Sequence, residues 1–191
     1  MALFEYLGVL ISVVMGLGIT HLLAGISKTI QQQRSVRLYW VHIVWTVNVL
    51  VYILVIWWGM FWWSRLPEWY FYEFLFVTLY AIVLFLIAAM LYPWDIPAGF
   101  DFQEYFYEYR SWFFGLQCVA WIIDVPETTL KAGMGLRALP QLYIIFVSVM
   151  FTLCAIAAFT KSRRYHAFFV VFWLVTVLTY LGTTTLLRIA A

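Results

Sequence analysis

The stretch GVLISVVMGLGITHLLAGIS, residues 8–27, is apolar along its length and long enough to cross a lipid bilayer as a helix. Within it, a small residue recurs at every fourth position: Gly8, Ser12, Gly16, Thr20 and Ala24. Residues four apart share one helix face, so this small-residue stripe forms a shallow groove. In lipid such grooves mark close helix packing. We expect the stripe to pack inside the chain, for example on Ser148, Thr152 and Ala155, or alternatively to form a subunit interface or ligand slot.

The composition of the whole chain supports a membrane location. Its 191 residues are 66% hydrophobic, 21% aromatic and only 10% charged, with a mean hydropathy of +0.94. A soluble domain carries about a quarter charged residues. We therefore expect one transmembrane helical domain over residues 1–191, in a plasma membrane or bacterial inner membrane. The expected partners are the lipid bilayer and copies of this chain, with another protein as a further candidate. No nucleic-acid partner is expected.

Apolar runs predict an all-α, polytopic transmembrane bundle with about six spans. A span needs about 20 mostly apolar residues, and five runs reach this length: 3–26, 38–63, 70–91, 140–160 and 167–187. A further apolar segment, 112–123, is short and is followed by Asp124-Val125-Pro126-Glu127. We expect a fourth span that is short or broken at Pro126, with a re-entrant segment and five spans as the alternative.

Basic residues predict the orientation. Lys28, Arg34 and Arg37 follow the first run, which places this loop in the cytoplasm and the N-terminus outside. Six and five spans both leave seven basic residues inside and four outside, so this count does not separate them. The cluster KSRR at 161–164 favours six spans. Residues 100–110 predict a short interfacial helix, whose acidic side chains would face the basic loops.

The three histidines, His21, His42 and His166, are predicted to lie toward one leaflet, with Asp95 nearby. Imidazole is a common ligand for haem iron and transition metals, so His21 and His42 could bind a haem or metal, although no cofactor is the simpler expectation. The alternative is that they hydrogen-bond to backbone or to each other as structural polar groups.

Acidic residues are expected together toward the opposite side of the membrane: Glu5, Glu73, Asp124 and Glu127, with Arg188 as a possible partner. An ionisable group at membrane depth suggests an ion or proton path. Asp124, beside Pro126, is the strongest candidate, unless it only ends a helix in water. Asn48 is expected to hydrogen-bond across helices or, less simply, to line a pore.

The motifs of hydrolases, kinases, metalloproteases and potassium-channel filters are absent from the sequence, and no catalytic residue is assigned. The expected function is passage or sensing of an ion or small solute by a homo-oligomer. Glu73, Asp124, Glu127 and Asn48 would form the path, and the histidines a gate. The alternatives are a haem or metal redox protein, and a non-catalytic membrane subunit or scaffold that binds another protein.

Overall fold

The computed structural model describes residues 3–182, and within this range it contains α-helices and no β-strand. The helices are α1 (Leu3–Gln31), α2 (Trp40–Gly59), α3 (Phe71–Ala89), α4 (Phe102–Gly133), α5 (Tyr143–Phe159) and α6 (Arg163–Tyr180). A 3₁₀ helix, Met60–Arg65, extends α2. The predicted all-helical class is confirmed for these residues.

Each helix runs antiparallel to the one before it. His42 near the start of α2 contacts the carbonyl of Leu91 just after α3, while Tyr80 within α3 contacts Asp124 late in α4. Tyr143 at the start of α5 contacts Asp124, and Ser111 early in α4 contacts the carbonyl of Ala158 at the end of α5. The loops therefore gather at two opposite ends of the bundle, called here the 35–100 end and the 60–140 end.

Helix α4 differs from its prediction as a short or Pro-broken span preceded by a separate interfacial helix. It is a single helix of 32 residues that passes through Pro126 without interruption, and residues 102–110 form its first turns. One buried stripe runs along the predicted interfacial helix and the predicted span, and it contains Phe102, Phe106, Phe113 and Trp121. Packing therefore continues where the charged residues suggested a break. Its N-terminus is capped by Asp101, whose Oδ1 accepts hydrogen bonds from the N–H groups of Gln103 and Glu104.

Three segments of the described chain are long and apolar enough to cross a membrane: Phe4–Gln31, Trp40–Arg65 and Phe71–Ala89. Helix α5 is apolar but has only 17 residues, and charged residues interrupt α4 and the start of α6. These features indicate a membrane protein, while the predicted number of about six crossings stays a prediction.

The small-residue stripe of α1 is only partly covered by the rest of the chain. Ser12 Oγ accepts a hydrogen bond from Trp57 Nε1 on α2 at 3.3 Å, while Thr20 and Ala24 are exposed beside α3. Helix α1 packs on α3 through a different face, which carries the buried side chains of Ile11, Met15 and Leu22. An added Cβ on Gly8 or Gly16 would meet nothing within 4 Å, whereas one on Gly25 would lie 2.3 Å from the Tyr92 ring. The contacts of the stripe are with α2 and with the chain around α3 rather than with α5, the example expected from the sequence, and the subunit-interface alternative stays a prediction. The glycines that permit close helix packing are Gly18 and Gly25.

Candidate functional site

Asp124 is a buried carboxyl group at which three helices meet. The hydroxyl of Tyr80 on α3 donates to Oδ1 at 3.0 Å, and the hydroxyl of Tyr143 on α5 lies 2.6 Å from Oδ2. The same Tyr143 oxygen is 2.8 Å from the backbone carbonyl oxygen of Asp124. Only 8% of Asp124 is exposed. The alternative in which this residue ends a helix in water is therefore excluded.

A third tyrosine extends this arrangement into a chain of hydroxyl groups. Tyr52 on α2 and Tyr80 on α3 have their hydroxyl oxygens 3.1 Å apart, and both residues are buried. Because the single proton of the Tyr80 hydroxyl is directed to Asp124, Tyr52 must donate to Tyr80. The sequence of hydrogen bonds is thus Tyr52 to Tyr80 to Asp124, with Tyr143 on the other carboxylate oxygen.

A buried ion pair lies one turn further along α4. Lys131 pairs with Glu127 four residues earlier, and their side chains are only 3% and 7% exposed. Glu127 also accepts a hydrogen bond from Trp63 Nε1 at 3.0 Å. The Lys131 ammonium donates to the carbonyl of Gly59 at 2.9 Å and lies 5.5 Å from the centre of the Trp63 ring. These contacts join the ends of α2 and α4.

The buried charges of this site do not balance when all are ionised. Asp124 and Glu127 supply two carboxylates, and Lys131 supplies one buried ammonium. Arg137 is half-buried at the 60–140 end, where its Nη2 donates to the hydroxyl of Tyr180. Since Lys131 is bonded to Glu127, Asp124 is the one of these two carboxyl groups that has no directly bonded cation among the described residues.

This geometry suits the uptake of a proton. A protonated Asp124 must donate through one of its oxygens, so the neighbouring tyrosine hydroxyl must turn its own proton elsewhere. If the Tyr80 hydroxyl accepts a hydrogen bond from Asp124, the Tyr80 proton turns toward the Tyr52 oxygen. The Tyr52 proton must then turn away from Tyr80. Protonation at Oδ1 would therefore reverse the chain of hydrogen bonds that joins α2, α3 and α4. Protonation at Oδ2 would instead turn only the Tyr143 hydroxyl, whose oxygen lies 2.8 Å from the backbone carbonyl oxygen of Asp124.

The histidines lie at the 35–100 end, each with Nε2 on a backbone carbonyl. His42 Nε2 is 2.6 Å from Leu91 O, His21 Nε2 is 3.0 Å from Tyr92 O, and His166 Nε2 is 3.0 Å from Thr160 O. Two of these carbonyls, those of Leu91 and Tyr92, lie in the turn that follows α3. His42 and His21 thus hold this turn against α2 and α1, and each has one ring nitrogen engaged in that hydrogen bond. No group of three His, Cys, Asp or Glu side chains in residues 3–182 is arranged to hold a metal ion.

The other predicted acids lie outside the Asp124 network. Glu73 is buried, but its Oε2 accepts a hydrogen bond at 2.7 Å from the N–H of Tyr70, which caps α3. Glu5 is exposed on the first turn of α1. Arg188 lies outside the described residues. Asp95 is exposed, and its Oδ1 accepts from the N–H of Ile96.

Asn48 contacts another helix. It is fully buried on α2, and its Nδ2 donates at 3.0 Å to the carbonyl of Val170 on α6. The surrounding core is aromatic and includes Trp45, whose ring packs edge-on against Phe169 and Trp173. This arrangement favours the helix-linking interpretation of Asn48 over pore lining.

Sequence reasoning missed the partners of the two carboxyl groups. Lys131 follows Glu127 by four residues, a spacing that is typical of a helical ion pair and was the available signal for this contact. Tyr52, Tyr80 and Tyr143 carried no local signal, because their hydroxyl groups find partners on other helices.

Comparisons of this chain with protein families, curated proteins and solved structures give no match. The interpretation of the site therefore depends on its own geometry.

Proposed function

We propose that this protein is an integral membrane protein that binds and releases a proton at Asp124 during ion-linked transport or sensing. One observation carries the proposal: a buried carboxyl group with no directly bonded cation, held by hydroxyl groups from α3 and α5. Ionisable groups within membrane-spanning bundles are costly and commonly lie on proton or ion paths. Lys131 neutralises Glu127, which leaves Asp124 as the group whose charge can change.

A proton fits this site better than a larger cation. Both carboxylate oxygens of Asp124 already accept hydrogen bonds from tyrosine hydroxyl groups. A metal cation would require those hydroxyl groups to turn their protons away and present lone pairs. A proton requires only that one hydrogen bond reverse direction.

The distribution of basic residues supports an orientation with the 35–100 end in the cytoplasm. If all six helices cross, Lys28, Arg34, Arg37, Arg110, Lys161, Arg163 and Arg164 lie at this end, and Arg65, Lys131 and Arg137 lie at the other. An excess of Lys and Arg marks cytoplasmic loops. The N-terminus, together with the carboxyl site, would then lie toward the outside of a plasma or bacterial inner membrane.

Proton movement can be tested in liposomes that contain the purified protein and a pH-sensitive dye. A potassium gradient with valinomycin supplies an inside-negative potential, and proton entry is followed by the dye. We expect entry above that of empty liposomes, and a reduction of this protein-dependent entry by about a hundredfold or more for Asp124→Asn, the lower end of the range for loss of a proton-transfer group. Glu104→Gln, an exposed change early in α4, is the matched control. Full proton entry with Asp124→Asn would contradict the proposal.

A second candidate function is that of a homo-oligomeric membrane subunit that also binds another protein. The observation that favours it is the exposed small-residue stripe, since Gly8 and Gly16 have open space where a second helix could approach. Gly16→Leu would fill this space. A smaller assembly for Gly16→Leu in native mass spectrometry would support the interface, and an unchanged assembly would contradict it.

A further inference from the structure

The last turns of α1 border a groove at the 35–100 end. Helix α3 ends at Ala89, and the chain that follows turns away through Pro93 and Trp94. Between this connection and α1 lies a cavity of about 360 Å³. It is separate from the carboxyl network, which lies toward the other end of the bundle.

The groove is mainly apolar and is basic at one end. Leu17, Ala24 and Phe85 line its apolar part, and Lys28 lines the basic end. From Leu17 to Lys28 the helix rises about 16 Å at 1.5 Å per residue. The groove thus matches the polarity of one lipid molecule. Its charged end lies near the loops, and its apolar part runs along the surface of the bundle.

Lys28 has donors to spare for a ligand. Its ammonium donates to the carbonyl of Trp94 at 2.7 Å, and an ammonium group carries three N–H donors. The neighbouring carboxylate, Asp95, is absent from the lining, and its Oδ1 accepts from the backbone N–H of Ile96. The ammonium is therefore held in place without pairing to an acid among the described residues.

Aromatic side chains form the wall beside this cation, and the polar side chains of Thr20 and His21 also line the groove. Trp94 is 78% exposed, and its ring packs edge-on against the His21 imidazole with 5.0 Å between centroids. Tryptophan is enriched where headgroups meet hydrocarbon, because its ring is apolar while its N–H can donate. The wall and Lys28 are thus suited to the level of lipid headgroups.

We propose that this groove binds one anionic phospholipid, with its phosphate on the Lys28 ammonium and one acyl chain along Ala24 and Leu17. Charge complementarity identifies the headgroup, and the apolar lining identifies the chain. A soluble anion would gain only the contact with Lys28 and not the apolar contacts. A lipid without net charge would lack the negative charge that an anionic headgroup brings to Lys28. The inference is independent of proton binding at Asp124.

The test is native mass spectrometry of the full-length protein released from nanodiscs that contain phosphatidylglycerol and phosphatidylcholine with the same acyl chains. A lysine near the surface contributes about 1 kcal/mol toward an anionic headgroup, which corresponds to about fivefold. We expect one retained phosphatidylglycerol per chain, at about fivefold preference. Lys28→Glu and the milder Lys28→Gln should remove the preference, while Lys161→Glu, an equal charge change in a distant loop, should keep it.

A second pair of variants tests the apolar part of the groove. Ala24→Trp should reduce retention of the lipid, whereas Leu23→Trp, on the adjacent exposed face of α1, should not. Equal loss with Lys28→Glu and Lys161→Glu, or equal retention of the two lipids by the original chain, would overturn the proposal. A lipid-free dimer that Ala24→Trp dissociates would also overturn it, because a second copy would then occupy the groove.

Discussion

The hydroxyl oxygen of Tyr143 lies 2.6 Å from Oδ2 of Asp124, across the contact between α4 and α5. Tyr80 meets the other carboxylate oxygen from α3. The residue that sequence reasoning selected for its position beside Pro126 is therefore a point where packing and charge meet. Changes at this position should affect both the stability of the bundle and the protonation of its interior.

Removing the Tyr143 hydroxyl should destabilise the protein without changing its fold. Tyr143→Phe leaves Asp124 Oδ2 with one donor fewer, and hydrogen bonds to charged groups contribute about 1.5–3 kcal/mol, with smaller values between membrane helices. We expect a loss of about 1–2 kcal/mol in the free energy of unfolding, measured by denaturation in mild detergent. Tyr6→Phe, at a hydroxyl-bearing residue that is 67% exposed, should have no such effect. Equal losses for the two variants would show that the Asp124 contact is not special.

The buried pair of Glu127 and Lys131 should be far more sensitive to the loss of one partner than to the loss of both. Lys131→Met leaves an unpaired carboxylate, and breaking such a pair costs about 3–5 kcal/mol. Replacing Glu127 by Gln in the same chain should recover a large part of that loss, because no buried charge then remains unpaired. A double-mutant cycle of unfolding free energies measures the coupling. Additive effects would contradict the pairing.

Gly25 and Gly16 should respond differently to the same substitution. Gly25→Ala would place a Cβ 2.3 Å from the Tyr92 ring, so the ring or α3 must move. We expect a loss of about 1–3 kcal/mol, the usual effect of overpacking. Gly16→Ala has open space and should be neutral or stabilising by up to about 1 kcal/mol through helix propensity. Thermal unfolding of both variants checks this difference, and an equal response at the two positions would be inconsistent with α1 packing on α3 through Gly25.

Asp101 should contribute stability that is lost on acidification. The backbone N–H of Glu104 is the main group that holds the pKa of Asp101 below its usual value, and the N–H of Gln103 and the guanidinium of Arg37 act in the same direction. A carboxyl whose pKa is depressed by folding stabilises the fold above its unfolded pKa of about 4, and this contribution disappears as the pH falls through the folded pKa.

The uncharged Asn side chain isolates this contribution, because it can cap a helix but does not titrate. We expect the wild-type protein to be more stable than Asp101→Asn at pH 7, and the difference in midpoint temperature to shrink toward pH 3. Asp101→Ala should lose about 1 kcal/mol more than Asp101→Asn at either pH, since the cap itself is removed. A difference between wild type and Asp101→Asn that stays constant with pH would contradict the assignment.

The helical class and most of the helices could be predicted from hydropathy, because long apolar runs have few other structures available in lipid. Helix α4 could not, since Arg110, Ser111 and Pro126 resemble breaks in the sequence. In the folded chain, Arg110 Nε donates to the carbonyl of Thr160 and Ser111 Oγ to that of Ala158. These distant partners satisfy polar groups that local reasoning takes for the end of a helix.

Only part of the candidate site could be predicted, because contacts between distant residues leave no local signal. Asp124 was evident as an acid within an apolar region, and Glu127 follows it on the same helix. The packing partner of the small-residue stripe was not evident from the sequence. Periodicity shows which residues share a helix face, but not what that face contacts. Likewise, nothing local distinguishes His21 as a hydrogen-bond partner of the Tyr92 carbonyl from His21 as a metal ligand.

The most direct test of the central claim is an infrared difference spectrum of the protein in lipid, recorded between high and low pH. The account predicts a carbonyl stretching band of a protonated, buried carboxylic acid that rises as the pH falls. This band should disappear in Asp124→Asn and persist in Glu104→Gln. A band that persists unchanged in Asp124→Asn would show that the proton binds elsewhere, and the proposed role of Asp124 would be wrong.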